Sequence, residues 1–246
     1  MSEKSTDASE ARKRLAGAAA ADEVRSGMTL GLGTGSTVRH LLDALSARLS
    51  SGELREVRGV ATSIDTEARS QELGIQLVGL TEAGRLDLAI DGADEVDPEL
   101  DAIKGLGGAL LREKMIAQAS DRFILIVDEG KRSGRLGTIS PLPVEVVPFE
   151  WEAHLPFFRA LGAEPAARRT VAGELVHTDN GNPIVDLRFE DGIRDARELE
   201  LTLRARAGIV ATGLFLGQVD RVIVGLDGGV EVLDRTLPAG TGSAAP

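Results

Sequence analysis

The first half of the chain repeats one pattern: a short apolar run, a Gly, Asp or Thr that ends it, and then a helical pattern. The apolar runs cover residues 28–32, 57–61, 86–90 and 123–127. Runs of this length are typical of buried strands, and strands that alternate with helices favour a parallel sheet. The run at 123–127 is apolar throughout, which predicts a central strand covered on both faces. The repeat therefore predicts an α/β fold.

The pattern changes after residue 140, where prolines begin to enclose a short apolar run. The residues that follow predict a small α+β unit. Its helices are expected at 151–161 and 195–206, and its strands at 164–169, 174–178, 183–188 and 209–215. The run at 221–225 is expected to rejoin the first sheet. We therefore expect two domains, formed by residues 1–140 plus 217–246 and by residues 141–216.

The two ends of the chain and one turn carry weaker signals. Residues 1–9 are polar and are expected to be frayed, ahead of an alanine-rich helix at 11–24. Residues 227–229 are expected to form a turn, and the small residues after Leu237 are expected to be disordered.

Composition limits the functions open to this chain of 246 residues. Its net charge of −11 argues against nucleic-acid binding, because phosphates would be repelled. Cysteine is absent and the three histidines are far apart in sequence, so no metal site is expected. No apolar run approaches the roughly 18 residues of a membrane span. The first residues also lack the apolar core of a signal peptide, and these features together favour the cytoplasm.

A glycine-rich turn joins the first predicted strand to a helix. It consists of Gly33, Thr34, Gly35, Ser36 and Thr37. Backbone N–H groups and hydroxyls at a helix N-terminus favour a phosphate. A Walker A loop would need lysine in place of Gly35, and a dinucleotide fingerprint would need glycine in place of Ser36. The turn therefore fits a single terminal phosphate, or it is only a tight connection between strand and helix.

Acidic residues, a lysine and glycines follow the predicted strand at 86–90. Asp91 and Asp94 stand where this strand ends and its loop opens over the sheet, which is where parallel sheets bind ligands. Lys104 then enters a turn made of Gly105, Leu106, Gly107 and Gly108. Lys131, in the loop after the run at 123–127, faces the same edge and contacts either a phosphate or only solvent. We expect an active site here.

Glu113 falls on the apolar side of the helix predicted at 109–119. The apolar residues on this arc are Ala109, Leu110, Ile116 and Ala117. Burying an unpaired charge is costly, so Glu113 needs either a cation or a chemical role. The cation would be Lys104 or Arg112. The role would be that of a general base, because burial raises the proton affinity of a carboxylate.

Six motifs occur in a fixed order along almost the whole chain. They are Gly33-Thr34-Gly35-Ser36-Thr37, Asp91-Gly92-Ala93-Asp94-Glu95, Lys104-Gly105-Leu106-Gly107, Arg112-Glu113-Lys114, Pro141-Leu142-Pro143-Val144-Glu145-Val146 and Thr178-Asp179-Asn180-Gly181-Asn182. Their order and spacing resemble the ribose-5-phosphate isomerase type A family. The resemblance implies a Rossmann-like parallel-sheet domain with a smaller, ferredoxin-like α+β domain inserted. It also implies interconversion of ribose 5-phosphate and ribulose 5-phosphate.

The resemblance further implies a sugar phosphate as the ligand, no metal, no cofactor, no membrane and a homodimer or homotetramer. Glu113 is implied as the proton acceptor, with Asp91, Asp94 and Lys104 as further catalytic residues. The residues implied to line the substrate are Thr34, Gly35, Ser36, Thr37, Asp91, Gly92, Ala93, Asp94, Lys104, Gly105, Leu106, Gly107 and Lys131. Lys13 stands where the family often has a lysine near the phosphate. The chain departs from the family at Leu106, where glycine is usual.

Alternatives from other classes stay open at this point. Related α/β domains bind phosphosugars as sensors in transcription regulators, although a sensor has no need of a carboxylate on an apolar arc. Enzymes of similar fold act as sugar-phosphate deaminases or coenzyme A transferases. Separately, Asp91 and Asp94 are close enough in sequence to hold a divalent cation instead of sugar hydroxyls.

Overall fold

The computed structural model of the chain describes residues 3–236. Within this range the α-helices are α1 (Glu3–Ala21), α2 (Ser36–Ser50), α3 (Ile64–Glu72), α4 (Leu80–Ala83), α5 (Leu110–Gln118), α6 (Leu155–Ala160) and α7 (Ala196–Arg204). The strands are β1 (Thr29–Leu32), β2 (Arg58–Ala61), β3 (Gln76–Leu77), β4 (Leu88–Gly92), β5 (Glu95–Val96), β6 (Ala102–Ile103), β7 (Phe123–Asp128), β8 (Leu142–Val146), β9 (Glu164–Ala167), β10 (Ile184–Arg188), β11 (Ile209–Thr212), β12 (Leu214–Phe215), β13 (Arg221–Leu226) and β14 (Gly229–Asp234). Short 3-10 turns cover Glu129–Lys131 and Trp151–His154.

A large sheet has the strand order β14-β13-β7-β4-β1-β2-β3. Its neighbouring strands are parallel except for β13 and β14, which pair antiparallel at one edge. From β1 the chain moves outward to β2 and β3 and then returns to β4 on the other side of β1. The loops after β1 and β4 therefore diverge, and such a switch point is where open α/β sheets bind ligands.

Helices cover both faces of the large sheet. Helices α1 and α2 pack over one face, around Leu30, Ile90 and Ile124. Helix α5 packs over the other face, where Ile116 lies in the same cluster as Leu125. All six residues of β7 are buried, as the continuous apolar run predicts for a central strand.

A four-stranded antiparallel sheet has the order β11-β8-β10-β9. Helix α6 lies between β8 and β9 in the chain, and α7 lies between β10 and β11. This β-α-β-β-α-β arrangement is ferredoxin-like. Phe158 and Leu203 of the two helices pack against Leu187 of the sheet. The expected fold class, a Rossmann-like sheet with a smaller α+β unit, is therefore confirmed.

A third, three-stranded sheet of order β12-β6-β5 joins the two parts. The strand expected at 209–215 is instead split at Gly213, so that β11 belongs to the four-stranded sheet and β12 to the three-stranded one. The backbone N–H of Lys104 donates to the carbonyl of Gly213 at 2.9 Å. A Cβ at position 213 would lie 2.3 Å from the carbonyl oxygen of Lys104, so this close approach requires glycine.

Two local expectations were wrong. Residues 3–9 are helical instead of frayed, because α1 continues back to Glu3. Residues 174–178 form only isolated bridges, in which Arg169 pairs with Leu175 and His177 with Pro183. The turn expected at 227–229 is present. It leads into β14, an edge strand that was not predicted because its alternation of partly buried and exposed residues is a weak signal.

Two further expectations concern the C-terminal tail and membrane-spanning segments. The tail after Leu237, expected to be disordered, lies outside the described residues. Among residues 3–236, no helix combines the length and apolar character needed to cross a membrane.

Candidate active site

The loops that follow β1, β4, β6 and β7 surround a cavity of about 260 Å³ at the switch point of the large sheet. Of the residues implied by the family resemblance, this cavity is lined by Thr34, Gly35, Ser36, Thr37, Gly92, Ala93, Asp94, Lys104, Gly105, Gly107, Glu113 and Lys131. Asp91 and Leu106 are not among the lining residues. The fold therefore gathers segments that are up to about a hundred positions apart in the sequence.

Asp91 lies beneath the cavity and is 2% exposed. Its Oδ1 accepts hydrogen bonds from the backbone N–H groups of Thr34, at 2.9 Å, and Gly92, at 2.7 Å. Its Oδ2 lies 3.0 Å from Lys104 Nζ. Position 33 requires glycine, because a Cβ there would lie 2.1 Å from Asp91 Oδ1. Asp91, near the end of β4, therefore ties the loop after β1 to this strand end and to Lys104.

Lys104 places a buried ammonium group at the base of the cavity. Its Nζ lies 3.3 Å from Glu113 Oε1, in addition to the contact with Asp91, and donates to the Gly92 carbonyl at 2.5 Å. The ring centroid of Phe215 is 5.4 Å away, close enough for a cation–π contact. Burial opposes the charge, but Asp91 and Glu113 outweigh it, so the pKa of Lys104 is raised. The group therefore stays protonated.

Glu113 is buried on α5, as the apolar arc predicts, and is 5% exposed. Its Oε1 pairs with Lys104, whereas its Oε2 has no hydrogen-bond partner among the described residues. Burial, reinforced by the charge of Asp91 and opposed by that of Lys104, raises the pKa of Glu113 from 4.5 to about 8. Arg112, the other cation considered, donates to Asn180 Oδ1 instead. One oxygen of Glu113 is thus free to meet a ligand proton.

The N-terminus of α2 forms another part of the cavity. The helix begins at Ser36, after Gly35 with a φ of 120°, and no side chain caps its first N–H groups. Lys13 of α1 and Lys131 of the turn after β7 line the same cavity. Free backbone N–H groups, the helix dipole and two ammonium groups favour a phosphate here.

The hydroxyl of Thr34 takes part in a separate cluster of hydroxyls. Its Oγ1 lies 2.7 Å from Thr62 Oγ1, 2.8 Å from Ser63 Oγ and 3.1 Å from Thr66 Oγ1. Thr66 in turn donates to the Gly33 carbonyl at 2.8 Å. This cluster fixes the loop after β1. Of the hydroxyls predicted in this turn, those of Ser36 and Thr37 remain for a phosphate.

Asp94 connects the cavity to the glycine-rich loop at 104–107. Its Oδ2 accepts a hydrogen bond from the backbone N–H of Leu106 at 2.8 Å. Burial raises the pKa of Asp94, although this hydrogen bond and the charge of Lys104 oppose the shift. Leu106 is 39% exposed and does not line the cavity, unlike Gly105 and Gly107 on either side of it. The departure from glycine at this position therefore adds no bulk to the site.

The family model for ribose 5-phosphate isomerase A (phosphoriboisomerase A) matches residues 58–229. A protein of Desulfatibacillum aliphaticivorans named ribose-5-phosphate isomerase A is 46% identical over 220 residues, which cover 89% of this chain and 95% of that relative. This chain belongs to the ribose-5-phosphate isomerase A family. The prediction made from the six motifs is confirmed.

Solved structures of this isomerase family share the fold. Ribose 5-phosphate isomerase from Plasmodium falciparum matches with a TM-score of 0.89 and 37% identity, and the match covers 93% of this chain and 100% of that chain. A D-ribose-5-phosphate isomerase in complex with phospho-erythronic acid matches with a TM-score of 0.88 and 37% identity, over 91% of this chain and 98% of that one.

Two lining residues of this isomerase-family site were missed by sequence reasoning. Ser9 of α1 lines the cavity, but it falls in the segment that was expected to be frayed. Asp128 also lines the cavity and accepts a hydrogen bond from the Gly130 N–H at 2.9 Å. Its position at the end of the apolar run at 123–127 was the available signal, since β4 ends in the same way near Asp91.

The possibility of a metal held by Asp91 and Asp94 can be compared with their hydrogen bonds. Both oxygens of Asp91 face N–H donors or Lys104, and Asp94 accepts from Leu106. Among residues 3–236, no group of three or more His, Cys, Asp or Glu side chains has the arrangement needed to hold a metal ion. The donors around the two aspartates favour a role in holding the loops and Lys104.

Proposed function

We propose that this chain interconverts D-ribose 5-phosphate and D-ribulose 5-phosphate by proton transfer through an enediolate. The reaction moves a proton between C2 and C1 of the open-chain sugar, so it needs a base that can reach carbon-bound hydrogen and a group that stabilises negative charge on oxygen. The observation that carries the proposal is Glu113, a buried carboxylate that lines the cavity with one oxygen free and the other on Lys104. Family membership supports the same reaction.

Glu113 removes the proton from C2 of ribose 5-phosphate and returns it to C1. In the same conversion the C1 oxygen gains a proton and the C2 hydroxyl loses one, so the aldehyde becomes a hydroxymethyl group and C2 becomes the ketone. The Glu113 pKa of about 8 supports this role, since a base works best when its pKa lies near the working pH. General acid–base catalysis of this kind contributes roughly 10²–10⁴ in rate. Lys104 stabilises the negative charge that develops on the sugar oxygens, because its ammonium is already buried and fixed.

The two aspartates have different roles in this proposal. Asp94 lines the cavity, and we assign to it the binding of sugar hydroxyls and assistance in opening the furanose ring. Asp91 lies below the cavity, and it acts by holding Lys104 and the loop after β1.

The phosphate of the substrate occupies the end of the cavity at the N-terminus of α2. Ser36 and Thr37 supply backbone N–H groups and hydroxyls, and Lys13 and Lys131 supply positive charge. Gly35, Gly92, Ala93, Gly105 and Gly107 line the cavity between the phosphate end and Glu113.

The test is an assay for ribulose 5-phosphate formed from ribose 5-phosphate in the presence of a chelator. Glu113→Gln keeps the shape of the side chain and removes the base, so we expect turnover to fall by at least about 10²-fold. The rate of solvent deuterium exchange into C1 of ribulose 5-phosphate should fall by the same factor as turnover. This exchange measures proton transfer at carbon and does not depend on ring opening. Binding of phospho-erythronic acid should survive the substitution.

Glu67→Gln, an exposed position on α3, is the matched control and should keep wild-type turnover. If a folded Glu113→Gln protein exchanges deuterium at a near wild-type rate, Glu113 is not the base, and Asp94 becomes the candidate. Loss of activity in EDTA with recovery in Mg²⁺ would show that the reaction needs a metal, against the metal-independent and cofactor-free chemistry that we propose.

The alternatives are not favoured. A phosphosugar sensor has no use for a carboxylate with a free oxygen and a raised pKa beside a buried lysine. A deaminase-like reaction is disfavoured by the isomerase family match, and the substrate assay distinguishes it directly.

The remaining proposals concern the whole protein. We propose that residues 1–140 plus 217–246 form one domain and residues 141–216 the other. We propose that the ligand is a sugar phosphate and that the protein binds neither nucleic acid nor a membrane. We also propose that it acts in the cytoplasm. We also propose a homodimer or homotetramer. The exposed Val230 and Val232 on edge strand β14 support assembly, since an edge strand offers unpaired backbone groups to a second strand.

A further inference from the structure

Arg168 follows the last residue of β9 and reaches from the four-stranded sheet to the glycine-rich loop at 104–107. Its Nη1 donates to two consecutive carbonyls of that loop, Gly105 at 2.9 Å and Leu106 at 2.8 Å. Its Nε donates to Asp186 of β10 at 2.9 Å, and its Nη2 also pairs with that carboxylate. One guanidinium group therefore connects the small sheet to the main chain of the cavity wall.

The loop at 104–107 depends on contacts of this kind. Gly105 and Gly107 have no side chain, so they can line the cavity only with main-chain atoms. Gly105 has a φ of 108°, a conformation open to glycine. The loop is held on one side by Asp94, which accepts from the Leu106 N–H, and on the other by Arg168. These two contacts set the position of atoms that face the substrate.

Arg168 is itself held firmly. Its backbone N–H donates to the Ile184 carbonyl at 2.9 Å, and its carbonyl accepts from the Val176 N–H at 2.9 Å. Its side chain is 13% exposed and that of Asp186 is 20% exposed, so the pair is largely shielded from water. A planar guanidinium with several fixed N–H donors can hold a carboxylate and two carbonyls together, which an ammonium cannot do.

We propose that Arg168 is a positioning residue for the isomerase reaction, acting through the loop at 104–107, an inference that rests on the function proposed above. The residue touches no reacting atom. It fixes the main chain of Gly105 and Leu106, and through them the position of the neighbouring Lys104 beside Glu113. Misplacement by about 1 Å can cost about 10²-fold in rate, so the effect should be visible in the kinetics.

Steady-state kinetics of four variants test this role, at a temperature where urea unfolding shows each protein to be folded. Arg168→Met removes all the contacts, and we expect kcat/KM to fall by at least about tenfold, mainly in kcat. Arg168→Lys keeps the charge beside Asp186 but cannot hold both carbonyls, so we expect a loss of at least about threefold. Asp186→Asn leaves the carbonyl contacts in place, so its loss should be smaller than that of Arg168→Met.

Arg169→Met is the matched control, because Arg169 donates to the carbonyl of Gly173 and, among the described residues, has no hydrogen bond to the loop at 104–107. It should retain wild-type kinetics. If Arg168 served only to stabilise the small sheet, Arg168→Met and Asp186→Asn would lose urea stability alike and keep their kcat. That result, or wild-type kcat/KM in Arg168→Met, would overturn the proposal.

If Arg168→Met does not fold, Arg168→Lys decides the question, and wild-type kinetics in that variant would overturn the positioning role. The wild-type assay separates this proposal from the proposed function. A wild-type protein without turnover of ribose 5-phosphate rejects both proposals. An active wild type with an equally active Arg168→Met variant rejects the positioning role alone.

Discussion

At the scale of single residues, one buried ammonium group forms ion pairs with two buried carboxylates. Lys104 Nζ contacts Asp91 Oδ2 and Glu113 Oε1, so the two acids compete for one counter-charge. Asp91 also accepts two backbone hydrogen bonds. Glu113 has no such backbone donors among the described residues. Its burial, reinforced by the charge of Asp91, raises its pKa, and the pKa of Lys104 is also raised. The proposed base, Glu113, is therefore the carboxylate with fewer hydrogen-bond donors around it.

This arrangement predicts how Glu113 affects stability as the pH changes. Its pKa is about 8 in the folded protein and 4.5 in an ordinary setting, so between these values the folded state binds the proton more tightly. The contribution of Glu113 to stability is then present at low pH and is lost as the pH rises through about 8. Glu113→Gln has no charge to titrate. Above pH 8 it should be at least about 1 kcal/mol more stable than the wild type in urea unfolding.

Below pH 4.5 the two proteins should have similar stability, which serves as the internal control. The opposite result, a variant that is less stable above pH 8, would mean that Lys104 needs Glu113 as its counter-ion. Asp91 and the Gly92 carbonyl already serve Lys104, which is why we expect the variant to remain folded.

At the scale of secondary-structure elements, the hairpin turn at 178–182 connects the small sheet to two helices of the large one. Asp179 Oδ2 accepts from the Ile64 N–H at the start of α3, at 2.8 Å. Arg112 of α5 donates to the Asp179 carbonyl at 3.1 Å and to Asn180 Oδ1 at 3.0 Å. Because Arg112 precedes Glu113, the hairpin contacts the helix that carries the proposed base.

Asp179→Ala removes the acceptor for the Ile64 N–H and the charge near Arg112. We expect a loss of about 1 kcal/mol in the free energy of unfolding, the usual value for one partly exposed hydrogen bond. A urea titration at constant pH measures this as a lower midpoint with an unchanged slope.

Asp191→Ala is the control for this change, since Asp191 is exposed and lies 4.0 Å from the exposed Arg194. It should leave the midpoint in place. Equal midpoints for the two variants would mean that the hairpin contact adds no stability.

At the scale of the whole molecule, the chain carries a net charge of −11 and far more arginine than lysine. Its exposed ion pairs include Arg85 with Asp121 and Arg132 with Glu231. Exposed pairs of this kind contribute little to stability and lose little when salt screens them. Repulsion among the excess carboxylates is also screened by salt, and its relief stabilises the folded state.

We therefore expect the melting temperature to rise as KCl increases from low to molar concentration. The acidic composition also fits a halophilic source, and a marked rise would support that interpretation. The control is a series in a non-electrolyte at equal osmolality. Such a solute is excluded from the protein surface, as salt is, but it does not screen charge. A melting temperature that is the same at all KCl concentrations would contradict the expectation.

Much of the fold follows from local patterns in the sequence. The run at 123–127 predicts a central strand because every side chain is apolar, and Glu113 is predicted to be buried because it shares a helical arc with four apolar residues. The glycine turn before α2 and the aspartates at and just after the end of β4 can also be predicted, since strand ends and turns depend on neighbouring residues. Edge strand β14 was missed, because half of its residues face solvent and its pattern is weak.

The details of the site depend on residues that meet only in the folded chain. The sequence places Thr34 and Asp91 in suitable loops, but tertiary contacts direct the Thr34 hydroxyl to Thr62 and bury Asp91 below the cavity. Arg168 reaches the Gly105 carbonyl across a sequence separation of 63 positions. Local periodicity reports whether a residue is buried, because burial is set by its own element. Hydrogen-bond partners and pKa are set by the packing of separate elements, which is why only the tertiary structure decided them.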